Sequence, residues 1–263
     1  MFSKKLIYLI ISLSIIIFNH KIESKTILIT GSNRGIGLEF VNQYAQNGWN
    51  VIATSRTPSD DMELIKLSEK YKNISIYGLD VTNHKQIDLL AKELKDIPID
   101  ILLNNAGILG GNENLQKIGN LDFESMENVY KTNAIGPLKV AEAFLENVIT
   151  SNEKKIIVIT SGTASIGNVK KSKYYKPLYL YRMSKTAINM GYKNLAIELA
   201  PQGVHVGIMA PGIVETRLLQ QAGYSGMGMT TKESVKNVIR NIENLDSETS
   251  GKYILFNGKI LPW

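Results

Sequence analysis

Lys25-Thr26-Ile27-Leu28-Ile29-Thr30 is a short β-branched run that opens directly into Gly31-Ser32-Asn33-Arg34-Gly35-Ile36-Gly37. Beyond the glycines, Leu38, Val41, Tyr44 and Ala45 recur at helical spacing. The stretch therefore reads as strand, glycine-rich turn and helix. A helix that starts this way presents free N–H groups and the positive end of its dipole, which suit a pyrophosphate. Gly31, Ser32, Asn33, Arg34, Gly35, Ile36 and Gly37 are accordingly candidate binding residues. The spacing is G-x-x-x-G-x-G and not the G-x-G-x-x-G of the general dinucleotide fingerprint. On the turn alone, a plain glycine loop stays open as the alternative.

Outward from the turn the alternation continues. Residues 50–55 read as strand, 61–71 as helix, 74–79 as strand, 85–94 as helix and 99–104 as strand. Such βαβαβ runs connect by right-handed crossovers, which predicts an α/β fold, a Rossmann-like doubly wound parallel sheet with helices on both faces. Two longer helical stretches follow at 123–148 and 181–200, separated by the apolar strand 156–159, and then comes a strand at 204–210. Pro211 and Gly212 break that strand at its carboxyl end, where open α/β sheets place their ligands. A last strand is expected at 253–256. No repeat, low-complexity tract or Pro-rich linker divides the chain, so 25–263 reads as one domain.

Chemistry enters with Tyr181 and Lys185, four residues apart on a helix and so on one face. A lysine charge beside a phenol favours the phenolate, and a group that titrates near 10 in water becomes a usable acid at neutral pH. Ser161, just past the strand 156–159, could hydrogen-bond the same substrate oxygen. Tyr and Lys at this spacing also occur on many solvated helices, so the pair alone is a weak signal.

Taken together, these motifs resemble the short-chain dehydrogenase/reductase family over nearly everything from Lys25 to Trp263. Thr30 to Gly37 resembles that family's T-G-x-x-x-G-x-G coenzyme turn. Asp80 and Val81 match its adenine-contacting pair, and Asn104, Asn105, Ala106 and Gly107 match the N-N-A-G segment beside the adenosine ribose. Asn133, Ser161, Tyr181 and Lys185 fall where the family keeps its catalytic tetrad, and Pro211, Gly212, Val214 and Thr216 match the loop around the nicotinamide. Within the family, Gly35 to Glu39, Val51 to Arg56, Tyr181 to Asn189 and the terminal Leu261-Pro262-Trp263 are most similar to the C-factor and sniffer-type carbonyl reductases. A polar, basic stretch at 170–176 lengthens the interval between Ser161 and Tyr181.

The resemblance implies hydride transfer between a nicotinamide cofactor and a carbonyl or alcohol. Tyr181 would be the proton donor and Ser161 would orient the oxygen. Lys185 would lower the tyrosine pKa and hold the nicotinamide ribose, and Asn133 would hold a relaying water. An alternative is a C-factor-like signalling protein that binds the same cofactor with little or no turnover. In this architecture a carboxylate after the second strand selects NAD, whereas arginine accommodates a 2′-phosphate. Here that strand ends in Ala53, Thr54, Ser55 and Arg56, with Arg34 nearby in the turn, so the expected cofactor is NADP(H). Related proteins pair their long helices across a two-fold axis, and Phe144, Val148, Ile188, Leu195, Ile197 and Leu199 therefore suggest a homodimer or homotetramer. Leu218, Leu219, Tyr224, Met227 and Met229 suggest an apolar, adaptable lid.

Composition sets the outer bounds. There is no cysteine, which excludes disulfides and thiolate chemistry, and His20, His84 and His205 show no metal-ligand spacing. The net charge of +6 is mild, and no basic patch interleaved with aromatics argues for nucleic acid. Residues 1–24 carry Lys4 and Lys5 ahead of an apolar run from Leu6 to Phe18, then a polar segment ending in Ser24. This pattern resembles a signal peptide and is short of the roughly 20 residues a membrane span needs. Export, an uncleaved membrane anchor and a cytoplasmic enzyme with a displaced start remain open.

Overall fold

Strand β1 (Thr26–Ile29) is wholly buried and sits mid-sheet, with β2 (Asn50–Ser55) on one side and β4 (Ile101–Asn104) on the other. The sheet is completed by β3 (Ile74–Gly78), β5 (Lys155–Ile159), β6 (His205–Ala210) and β7 (Tyr253–Leu255). The order is β3-β2-β1-β4-β5-β6-β7, and every pairing is parallel. This is the doubly wound sheet expected from the alternation. The computed structural model describes residues 24–171, 176–224 and 226–263. The expected leader lies outside the described residues apart from Ser24, as do 172–175 of the basic stretch and 225 of the lid.

A strand's side chains alternate between faces, so each central strand feeds two cores. Leu28, Leu102, Ile156 and Val158 point to one face, where α3 (His84–Glu93), α5 (Gly136–Ala143) with Phe144 at its end, and α7 (Tyr179–Leu199) supply Ile87, Val140, Phe144, Ile188 and Tyr192. Ile27, Ile29, Leu103, Ile157 and Ile159 point to the other. There α1 (Gly35–Gln46), α2 (Met62–Lys70) and α9 (Thr231–Glu243) supply Phe40, Val41, Leu64, Val235 and Ile242.

Two expectations are corrected. The helical stretch 123–148 is not continuous. It divides into α4 (Phe123–Tyr130), a π-helical turn (Lys131–Ile135), α5 and α6 (Leu145–Ile149). Pro137, with no N–H to donate, follows closely on the π-helical turn, where the helical hydrogen-bond ladder is already irregular. The apolar surplus assigned to a subunit interface is also largely internal. Phe144, Val148, Ile188 and Leu199 are buried in the chain's own core and Leu195 packs against it, leaving Ile197 exposed. These helices look apolar beyond one stripe because they are wedged between sheet and neighbouring helices. On these two stretches the large apolar side chains that do face outward are Phe123, Ile135, Leu138, Met183, Met190 and Ile197.

Candidate active site

The carboxyl ends of the central strands open onto a cleft of about 880 Å³. At one end α1 begins with Arg34 in the cap position, no side-chain cap and no acid in its first turn. The N–H groups of Gly35, Ile36 and Gly37 therefore have no intrahelical acceptor, and these residues wall the cleft. Side chains are excluded here by contact. A Cβ on Gly37 would stand 2.1 Å from the Gly31 carbonyl oxygen, and one on Gly31, whose φ is +67°, would stand 2.8 Å from Ala106 Cα. Thr30 Oγ1 accepts from the Asn105 and Ala106 N–H groups at 3.1 Å each, and the Asn105 amide donates to the Thr30 and Gly31 carbonyls at 3.0 Å. Turn and 104–107 segment are thus clasped together behind the cleft. Arg34, Arg56, Asp80 and Val81 line the same end, and Asp80 Oδ1 accepts from the Thr82 N–H at 2.8 Å and hydroxyl at 2.7 Å. An uncapped helix start, a turn bare of side chains and two guanidinium groups fit the phosphates of a dinucleotide.

At the other end Tyr181 and Lys185 project from α7 beneath the strand ends. Lys185 Nζ donates to the Ile159 carbonyl at 2.8 Å and lies 5.9 Å from the Tyr181 ring centroid. Ser161 stands beside the phenol, and its Oγ lies 2.9 Å from the Thr163 hydroxyl. Burial pushes the phenol up to about 12, with the Ser161 hydrogen bond pulling the other way. Burial brings the Lys185 ammonium down to about 8. The net direction for the tyrosine is thus up and not down, because withdrawing the phenol from water dominates its pKa. The phenol stays protonated at neutral pH, as a proton donor must.

Asn133 sits in the π-helical turn with its side chain fully buried. Its Oδ1 accepts from the Ile108 N–H at 2.8 Å, and its Nδ2 donates to the Ile108 carbonyl at 2.8 Å and to Ser184 Oγ at 3.0 Å. It does not wall the cleft. It lies under Gly107, where a Cβ would be 3.4 Å from Asn133 Oδ1 and 3.3 Å from Lys185 Nζ. Ser32 also stays out of the cleft. Its hydroxyl donates to the Ile29 carbonyl at 2.8 Å and its N–H to the Thr54 carbonyl at 2.9 Å, so it shapes the turn from inside instead of offering a group to a ligand.

Pro211, Gly212, Val214 and Thr216 form the far wall. Thr216 caps α8 (Arg217–Gln221) by accepting from the Leu219 N–H at 3.3 Å, and Val214 bridges to Met229. Of the lid residues, Leu218 and Tyr224 pack against Leu109, Leu178, Tyr181 and Ala222, giving the tyrosine an apolar surround. Two polar residues went unnoticed in the sequence. Gln116, fully buried, accepts the Tyr181 N–H at 3.1 Å and donates to the Leu109 carbonyl at 3.0 Å. Asp61 accepts from Asn33 Nδ2 at 3.1 Å and ties the glycine turn to the segment after β2. Neither sits in a periodic pattern that would have marked it.

Comparison with known proteins agrees with this geometry. The NADPH-bound carbonyl reductase from chicken fatty liver superposes with a TM-score of 0.81 at 32% identity, over 91% of this chain and 99% of that one. The carbonyl reductase Sniffer of D. melanogaster gives 0.80 at 27% identity, over 92% and 100%. C-signal of Myxococcus xanthus is 30% identical over 166 residues, 63% of this chain and 93% of its own length. The sequence profile described as short chain dehydrogenase matches residues 25–225, from the first strand through the coenzyme turn and the Tyr181–Lys185 pair to the lid, and the chain belongs to that family.

Proposed function

We propose that this chain is an NADPH-dependent oxidoreductase that reduces the carbonyl of an aldehyde, ketone or quinone to an alcohol. The observation that carries the reading is the buried, protonated Tyr181 phenol beside Ser161 within the cleft that also contains the bare glycine turn. Bound NADPH, against residues 31–37, 105–107 and 211–216, supplies the hydride. Ser161 Oγ and the Tyr181 hydroxyl hold the carbonyl oxygen, and Tyr181 gives its proton to that oxygen as negative charge develops on it. Lys185 holds the nicotinamide ribose and stabilises the phenolate left behind, and Asn133 keeps the Ile108 backbone and Ser184 in place beside it. Arg34 and Arg56 select the 2′-phosphate, and no carboxylate stands directly after β2 to favour NAD. Leu109, Leu178, Leu218 and Tyr224 favour an apolar substrate beside the phenol.

Oxidation of NADPH against a panel of aldehydes, ketones and quinones tests the reading. Tyr181→Phe is expected to keep NADPH affinity and lose at least about two orders of magnitude in turnover, the scale of general acid catalysis. An unimpaired Phe variant would overturn the assignment. NADPH binding with no turnover on any carbonyl would favour the second reading, a cofactor-binding signalling protein, which the match to C-signal keeps in view. The outward apolar side chains of α7 and the π-helical turn support a homodimer, and a monomer by light scattering at micromolar concentration would refute it.

A further inference from the structure

The segment that carries Ser161 is not regular strand or α-helix. It runs through 3₁₀ turns at Gly162–Ala164 and Ile166–Lys171, so the direction of the serine side chain depends on what grips the backbone around it. One grip comes from α7. Thr186 Oγ1 donates to the Ala164 carbonyl at 3.0 Å, and Arg182 donates to the Thr163 carbonyl at 3.3 Å.

The other grip comes from the carboxyl terminus. The Tyr253 hydroxyl, from β7, donates to the carbonyl of Ser161 itself. Ser165 Oγ donates to the Pro262 carbonyl at 2.5 Å, and the Gly167 N–H donates to the Trp263 carbonyl at 2.7 Å. The Trp263 ring stacks on Tyr253 with centroids 5.5 Å apart and planes 20° apart. The tail is itself pinned, because the Leu261 N–H donates to the Tyr253 carbonyl at 2.8 Å and Ile260 bridges to Ile254. Neither Tyr253 nor any of residues 261–263 walls the cleft, and their hydrogen bonds toward it end on residues 161–167.

We infer that Tyr253, Pro262 and Trp263 form a brace that aims Ser161 at the substrate oxygen, and that Tyr253 and Trp263 are positioning residues for the reaction. This inference rests on the carbonyl-reductase reading above. The Tyr253 hydrogen bond fixes the serine's own peptide, and a small tilt of that peptide swings Oγ away from the Tyr181 phenol. Reacting groups must be held in near-attack geometry, and displacements of about 1 Å are costly there. Cofactor binding depends on other walls of the cleft and is untouched by the brace.

The test uses the full chain with Tyr253→Phe, which removes one hydroxyl and keeps the ring, and a chain ending at Leu261, each made also in a Ser161→Ala background. Turnover, NADPH affinity and hydrogen exchange over residues 161–168 are measured for all. Tyr253→Phe is expected to lower kcat roughly tenfold with NADPH affinity within about twofold, since only the aim of one hydrogen bond is lost. The amides of 161–168, Gly167 above all, should exchange faster in both variants. Neither change should lower turnover further once Ser161 is alanine, because residues acting through one group are not additive. Unchanged exchange, unchanged kcat, or an equal loss in the Ser161→Ala background would overturn the brace. If the unmodified chain turns over no carbonyl, the functional reading fails separately and exchange alone decides: faster exchange in both variants upholds the brace, and unchanged exchange rejects it.

Discussion

Lys185 carries a charge that the fold alone would do better without. Burial holds its folded pKa near 8 against an ordinary value of 10.5, so below about pH 8 the native state must keep a desolvated ammonium. That cost is full below the folded pKa and fades as the pH climbs toward 10.5, because over that interval the unfolded chain binds the proton that the folded one has released. Lys185→Met is therefore expected to melt at a higher temperature than the parent at pH 7, with the difference shrinking between pH 8 and 10.5, while turnover is largely lost. Differential scanning calorimetry across that range checks it, and a lower melting point at pH 7 would contradict it. The same titration predicts that carbonyl reduction by the parent declines above about pH 8 as the ammonium disappears. Here the sequence was half informative. Four-residue spacing revealed that Tyr181 and Lys185 meet, but the direction of each pKa depends on burial by Leu109, Leu178, Ala222 and strand β5, which local spacing does not encode.

Strands and single-stripe helices were legible because each obeys one local rule. The span of β2 is the one read from its β-branched run, and α2 and α3 differ from their expected spans by a residue at either end. The break in 123–148 was not legible, since its apolar pattern continues through the π-helical turn and only packing shows where the helix yields. Every residue of the glycine turn lines the cleft apart from Ser32, whose inward hydrogen bonds depend on Thr54 of β2. At this scale Arg34, at the start of α1, and Arg56, just after β2, carry a prediction. Replacing Arg34 and Arg56 together with alanine should weaken NADPH by roughly tenfold or more, the loss of a charge-assisted hydrogen bond of about 1.5–3 kcal/mol, and leave NADH nearly unchanged. Parallel titrations with both coenzymes decide it, and equal losses would point away from the 2′-phosphate.

Across the whole molecule, the amino end of the described domain is closely tied in. Lys25 pairs with Glu153 and lies 5.5 Å from the Trp49 ring centroid, while the Thr26 N–H donates to buried Asp100 at 2.8 Å. Asp100 also accepts from the Asn152 and Glu153 N–H groups at 3.2 Å each, joining the starts of three central strands. We propose that residues 1–24 are a leader for export or membrane attachment and that the catalytic domain does not need them. A chain starting at Lys25 should keep full activity, and one starting at Leu28 should lose stability along with the Asp100 clasp; thermal melts and activity of the two compare directly. Sequencing the native protein's amino terminus should find Lys25 or a close neighbour if the leader is a cleaved signal. At the opposite end of the chain, the return of the tail along β7 has a meaning apart from catalysis. Leu255 donates to the Lys259 carbonyl at 2.8 Å, Leu261 to the Tyr253 carbonyl at 2.8 Å, and Ile260 bridges antiparallel to Ile254, so the outermost strand is not a bare margin. Stripped of that cover, it would offer unsatisfied peptide groups to any other extended chain. A product of premature termination at Gly258 should therefore clump and sediment where one ending at Leu261 stays dispersed, making the last few residues a safeguard against self-aggregation.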